Sequence, residues 1–385
     1  GHCWLTPMII FEPKRHALGV FTDFKEEILM KNTRFVTGSI VTLLVCLMLT
    51  PSVSVAKTFK IATVSPDGLS WMKKLRSGAK EIAQRTDNRV KFKIYPGGVQ
   101  GDDYTVLRKM RIGQLHGGVI AASTLTRFYP DLQVYNLPLV FRDGAEVDYV
   151  RERMDQRIVD GLEEAGFVTF NLTETGFAYV MTKEPVKSVQ DLKKIKAWVP
   201  DGDPISAQLI QSFGISPIPL TLSDVLAGLQ TGLVNGVAVP PLVALALQWH
   251  NQVKYVTNIP LVYIYSMFSM DKKAFASISE ADQTIVKEVM NRIFLEVDRE
   301  NRIDNLKAYD ALISQGIEAV SPTEDQFVAW QAQAEASIES LIASGSISDE
   351  SLSLLYQYLD EYRASQAGVD KALRSEQVRV TSASE

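Results

Sequence analysis

A chain of 385 residues, 46% of them apolar, buries a core without crosslinks, and its length suits about two domains. Its 40 basic and 45 acidic residues are scattered to a net charge of −5, which leaves no basic footprint for nucleic acid. With two cysteines and four histidines, neither a disulfide framework nor a histidine-rich metal site is expected.

Residues 1–29 begin without a methionine and read as sequence upstream of a start at Met30. Lys31 and Arg34 precede an apolar run from Ile40 to Leu49, followed by Pro51 and the small-x-small end Ser54-Val55-Ala56. A membrane-spanning helix takes about 20 apolar residues. The shorter run here predicts a cleaved export signal over 30–56, a mature chain from Lys57 and a periplasmic destination. A lipid anchor at Cys46 is the competing reading, with Val45 standing where such a site needs a small residue. Cleavage after Ala56 removes both Cys3 and Cys46.

Thr58 to Val64 and Val90 to Tyr95 alternate apolar with polar residues and are expected strands. Between them Trp71, Leu75, Ala79 and Ile82 recur at helical spacing behind Ser70, a candidate N-cap. Strand, helix, strand favours a parallel α/β sheet. The pattern continues through a helix from Tyr104 to Ile112, a strand from Gly118 to Ala121, a helix from Ala145 to Ala165 and a strand from Phe167 to Leu172. Ala178 to Thr182 and Lys196 to Val199 are expected strands of a second lobe. A helix from Ile205 to Phe213 stops at Gly214, and Thr221-Leu222-Ser223-Asp224 has the form of a capping box. Tyr263 to Met270 reads as a strand returning to the first lobe. Ile285, Val289, Ile293 and Val297 mark a long amphipathic helix spanning both lobes. Phe327, Trp330, Ala334, Ile338 and Leu341 mark one face of the next helix, and residues 375–385 lack apolar periodicity and are expected to fray.

These elements predict two α/β lobes joined by several crossings, the first from 57–175 and 264–303, the second from 176–263 and 304–374. Clefted pairs of this kind close on ligands by hinge motion.

Three blocks carry a family resemblance. Tyr95-Pro96-Gly97-Gly98-Val99-Gln100-Gly101-Asp102 leads into Val106 to Gly113; Val189-Gln190-Asp191-Leu192-Lys193-Lys194-Ile195-Lys196 leads into Trp198; and Gly214 to Leu220 leads through Ser223-Asp224-Val225 to Gly232. With Leu137-Pro138-Leu139-Val140-Phe141 they resemble, in order, the DctP-type extracytoplasmic solute-binding proteins of TRAP transporters. The resemblance implies a type II-like periplasmic binding fold with a central cleft, no enzymatic activity, no cofactor, a small-molecule ligand and membrane-embedded TRAP subunits as partners.

Three polar anchors of the acid-binding members are missing. Where the family has arginines or an Asp-Gly-x-Glu-Asn run, this chain has Ala178 in Gly176-Phe177-Ala178, Trp198 in Lys196-Ala197-Trp198-Val199-Pro200, and Val239 with Pro240 in Val234 to Pro240. Arginine binds carboxylate through a planar fork that Ala, Trp and Val do not imitate. The ligand is therefore expected to be aromatic, apolar or amine-bearing and not a simple dicarboxylate or sialic acid, unless Arg127 supplies the missing cation.

Trp198 has two readings, a core residue or a ring that stacks on the ligand. Glu174, Asp201 and Asp203 add the option of a cationic amine, although Gly202 and Pro204 mark the latter pair as a solvated turn. Gln100, Ser123 and Glu174 are the expected polar contacts. Trp71, beside the Ser65-Pro66-Asp67-Gly68 turn that borders the cleft in the family, fits core and cleft wall alike. Trp249 and His250 read as packing; His116 and His250 lack ligand-spaced partners, so no metal is expected. Gly97 to Gly101 lacks the spacing of a phosphate loop and reads as a turn. A secreted enzyme on the same scaffold would need a nucleophile and base that the chain does not display, whereas a periplasmic ligand sensor or accessory protein fits the same residues.

Overall fold

The computed structural model describes residues 56–382, with side chains to Ala367. The expected upstream segment and signal cover 1–56, of which all but Ala56 lie outside the described residues. β1 (Lys57–Ala62), α1 (Ser70–Arg85), β2 (Val90–Tyr95), α2 (Asp103–Arg111), β3 (Gly117–Ala121), α3 (Gly144–Glu164) and β4 (Phe167–Thr169) build the first lobe, and β5 (Thr173–Thr182) leaves it. The second lobe holds β6 (Ala197–Pro200), α4 (Pro204–Ser212), β7 (Pro217–Leu220), α5 (Val225–Thr231), β8 (Gly236–Val239), α6 (Pro241–Ala246) and β9 (Tyr255–Thr257). β10 (Val262–Asp271) returns, and α7 (Glu280–Ser314), β11 (Glu318–Val320), α8 (Glu324–Ala343) and α9 (Asp349–Ser382) complete the chain. No described helix is long and apolar enough to cross a membrane.

The strand order β2-β1-β3-β10-β5-β8-β6-β7 joins the two lobes through β5 and β10. β1 pairs in parallel with β2 from Lys57↔Val90 to Ala62↔Tyr95, so the alternation of Val90, Phe92 and Ile94 against Lys91 and Lys93 sets the buried face. β10 runs antiparallel to β3 over Ser266 to Met270 and to β5 over Val262 to Ser266, with a register shift between Ile264 and Tyr265. Opposite that shift stands Gly176, whose φ of 124° lies where only glycine sits without strain.

Helices cover both faces of the sheet. One first-lobe cluster joins Phe59, Met72 and Phe268 to Val289 and Phe294 of α7; the other joins Tyr135 and Tyr265 to Met154 and Ile158 of α3. The second lobe packs Trp198, Val225, Leu229 and Trp249 on one side and Phe213, Ile215 and Trp330 on the other.

α7, 35 residues and about 52 Å long, is the expected lobe-spanning helix. Val289, Ile293 and Val297 are buried as predicted, Ile285 is half-buried, and Leu312 reaches the second lobe's core. Where the helix passes the crossing strands its stripe turns polar: Asn301 and Asn305 donate to the carbonyls of Glu174 and Thr175, each at 2.8 Å. Both carbonyls lie at the register shift, and buried carbonyls need partners.

Several local expectations are corrected. Ser70 is the first helical residue and not a cap; its hydroxyl donates to Asp304 at 3.3 Å. The box at Thr221 does not form, because Thr221 Oγ1 donates to the Asp224 carboxylate instead of capping a backbone N–H. Phe327 is 38% exposed, since the capped first turn of α8 projects from the body. Residues 304–374 do not all belong to the second lobe. Trp330 and Ala334 of α8 pack there, but Ile338 and Leu341 join the first lobe, as do Leu355 and Leu359 of α9. Apolar periodicity shows that a helix face is buried, not which lobe buries it. α9 is helical to Ser382, past the end of apolar periodicity at Ser375.

Candidate functional site

Between the lobes lies a cavity of about 410 Å³. The first lobe contributes Trp71, Asp103, Tyr104 and Ser123; the crossing strands contribute Thr173, Thr175, Ala178, Ile264 and Ser266; the second lobe contributes Trp198, Val199, Val239, Pro240 and Val243. Among the described lining residues the charged ones are Asp102, Asp103, Asp201 and Asp203, with no Lys, Arg or His.

Trp198 is both core and wall. Its indole Nε1–H donates to the carbonyl of Leu220 at 2.9 Å, and its ring stands edge-on to Trp249 with centroids 5.1 Å apart. With its one polar atom spent on β7, Trp198 offers the cavity only ring surface. Ala178 is buried on β5 and pairs with Val262 of β10, and Val239 pairs with Tyr179, so Ala178, Trp198 and Val239 form an apolar wall. Trp71 and Ser123 line the cavity half-buried.

Three expected contacts lie elsewhere. Thr173 and Thr175 face the cavity, so strand alternation turns Glu174 to the opposite side. There its Oε2 accepts from Nε and Nη2 of Arg302 and, at 3.4 Å, from the Tyr263 hydroxyl. Burial raises the Glu174 carboxyl above its usual range although Arg302 opposes the shift. Gln100 is not in the lining; its Oε1 accepts from Lys109 at 3.0 Å. Asp67 forms an exposed two-point pair with Arg76 at 2.8 and 3.1 Å, because it tops a turn beside the start of α1. Arg127 is exposed, stacks 4.7 Å over the Phe128 ring and does not line the cavity.

The structure also brings in residues that sequence reasoning missed. Asp103 Oδ2 accepts the Ala121 N–H at 2.9 Å, while Oδ1 is buried without a partner. Burial pushes this carboxyl up to about 6, and the charges of Asp102 and Asp203 push the same way. Buried oxygens of Gln133, Asn136 and Asn301 and the hydroxyl of Tyr104 are likewise unpaired, and all four residues line the cavity. Interruption of the α7 stripe by Asn301 and Asn305, four residues apart, was the readable signal. Gln133 and Asn136 sit in the 3-10 helix Pro130–Asn136 and gave none.

The sequence matches the model for bacterial extracellular solute-binding proteins of family 7 (DctP) over residues 61–344. A solute-binding protein of Verminephrobacter eiseniae is 25% identical over 263 residues, 65% of this chain and 78% of the relative. The sialic acid-binding periplasmic protein SiaP of Vibrio cholerae is 22% identical over 269 residues, 69% and 81% of the two chains. Among solved structures, a sugar acid binding protein of Advenella mimigardefordensis in complex with galactonate superposes with a TM-score of 0.73 at 18% identity, covering 80% of this chain and 99% of that one. A TRAP periplasmic solute binding protein of Sulfitobacter with bound β-D-galacturonate gives 0.71 at 19% identity, covering 79% and 100%. The chain belongs to family 7 of the bacterial extracellular solute-binding proteins, the DctP-type receptors that bind small organic molecules for TRAP transporters.

Proposed function

We propose that the ligand is aromatic, apolar or amine-bearing and is not a simple dicarboxylate or sialic acid. The observation that carries this reading is the charge of the cleft: acidic residues and no cation among the described lining residues. A carboxylate taken from water into such a cavity would lack the charge-assisted partners that offset its desolvation. Trp198, Val199, Val239 and Val243 offer apolar surface instead, the usual lining of small-molecule sites. The solved relatives named above hold galactonate and galacturonate; the apolar wall at Ala178, Trp198 and Val239 supports a different ligand class for this chain.

The proposed mechanism is closure of the lobes about β5 and β10, with no bond made or broken, followed by release to the membrane subunits. Export by a signal cleaved after Ala56 completes the reading, and N-terminal sequencing of periplasmic material tests it by finding Lys57 first. A thermal-shift screen of organic acids, amines and aromatic compounds tests the ligand class. A ligand at 100 times its Kd adds about 2.7 kcal/mol. Stabilisation by acids alone would overturn the reading.

A further inference from the structure

Four of the five unpaired atoms of the cleft are pure acceptors; the fifth, the Tyr104 hydroxyl, both donates and accepts. Asn136 Nδ2 donates to the Tyr263 carbonyl at 2.7 Å and Asn301 Nδ2 donates to that of Glu174 at 2.8 Å, so both amides are fixed with Oδ1 unpaired. Gln133 Oε1 and Asp103 Oδ1 are acceptors as well. Gln133, Asn136 and Asn301 are 2%, 8% and 8% exposed, so bulk water does not satisfy them. Buried acceptors without partners are costly, and where they line a cavity they mark the donors its occupant must bring.

Three of the four acceptors are anchored close together. Asp103 is tied to Ala121, which pairs with Ser266; Asn301 is tied to Glu174, which pairs with Tyr265; Asn136 is tied to Tyr263. The three ties fall on residues 263–266 of β10, about 10 Å of strand.

We propose that Asp103, with the side-chain oxygens of Gln133, Asn136 and Asn301, binds the ammonium group of a ligand whose apolar or aromatic body lies against Trp198. The inference rests on the ligand reading above and narrows it to one class. An ammonium supplies three N–H donors and a positive charge, enough for the Asp103 oxygen and two of the three amide oxygens at once. A polyol would also donate, but its remaining hydroxyls would meet Val199, Val239 and Val243 unpaired. Asp102 and Asp203 do not compete for the role, because they cap α2 and α4 through backbone N–H groups at 2.7 to 3.1 Å.

Titration calorimetry of the mature protein with phenethylamine and hexylamine, each matched with a carboxylate and an alcohol of the same body, tests this. The amines are expected to bind and their counterparts to bind far more weakly. Asp103→Asn should lose about 10- to 100-fold in amine affinity. Alcohols or monocarboxylates binding as tightly as the amines overturn the ammonium site while leaving an apolar ligand standing. D-galacturonate binding alone overturns the ligand reading itself. Saturable binding by neither amine at millimolar concentration, or undiminished amine binding by folded Asp103→Asn, also overturns the proposal.

Discussion

Gly176 and Asn305 fit so closely that a Cβ on the glycine would lie 2.6 Å from the asparagine Nδ2. That amide donates to the Thr175 carbonyl, and its oxygen accepts from Leu242 N of α6 at 3.2 Å. The contact ties β5, α6 and the lobe-spanning helix together at the point where the strands cross. Gly176→Ala therefore meets a positive φ and a close neighbour at once. Denaturant unfolding is expected to show a loss of about 3 kcal/mol; a loss within error of zero would mean the crossing relaxes freely.

Arg302→Ala should destabilise the protein in a pH-dependent way. Removing the arginine leaves Glu174, with a 5% exposed side chain, buried without its charge partner, a change that costs about 3 to 5 kcal/mol. Burial already raises the Glu174 carboxyl, so the folded state binds more protons than the unfolded state and stability falls as pH rises through that range. Loss of Arg302 raises it further. The deficit measured at neutral pH should shrink in mild acid, where Glu174 is protonated; a pH-independent deficit would contradict this.

Asp103 predicts a stability cost at the binding site. Its carboxyl is raised from 3.8 to about 6, with Asp102, Asp203 and Tyr104 as the titratable neighbours. A raised carboxyl contributes stability that is present when protonated and lost as pH rises through the folded value. Asp103→Asn should remove that dependence and stabilise the unliganded protein at neutral pH by about 2 kcal/mol. Melting curves across mildly acidic to neutral pH check it, and a less stable variant at neutral pH would show that the carboxylate is satisfied in the free protein.

The fold was readable because its signals are local. Alternation in Val90 to Tyr95 and the stripe of Val289, Ile293 and Val297 placed strand and helix correctly. Part of the cavity lining was readable, since Trp198, Ala178, Val239 and Pro240 all border it. It was illegible where orientation decides. Glu174 was expected in the cleft, yet its neighbours Thr173 and Thr175 take that face. Asp103 lies just before the helix expected from Tyr104 and carried no signal of its own. Only the placement of Ala121 beside it shows that one oxygen is used and the other is not.

Trp198 holds wall and core together, so its variants should separate the two roles. Trp198→Ala should lose about 3 to 5 kcal/mol of stability, because it opens a hole against Trp249 and removes one of the two donors on the Leu220 carbonyl, leaving the Asp201 N–H. Trp198→Phe keeps ring surface and loses the hydrogen bond; it should cost about 1 kcal/mol and retain most ligand affinity. Calorimetric melting and titration read both. Stability unchanged in Trp198→Ala would remove the residue from the core.

The absence of a cation among the described lining residues is tested most directly by titrating the wild-type protein with succinate and with D-galacturonate. No saturable binding is expected for either, and Trp198→Arg should be the form that gains weak carboxylate affinity. Micromolar binding of either acid by the wild-type protein would contradict the account, because it would require a positive charge that the described walls of the cleft do not contain.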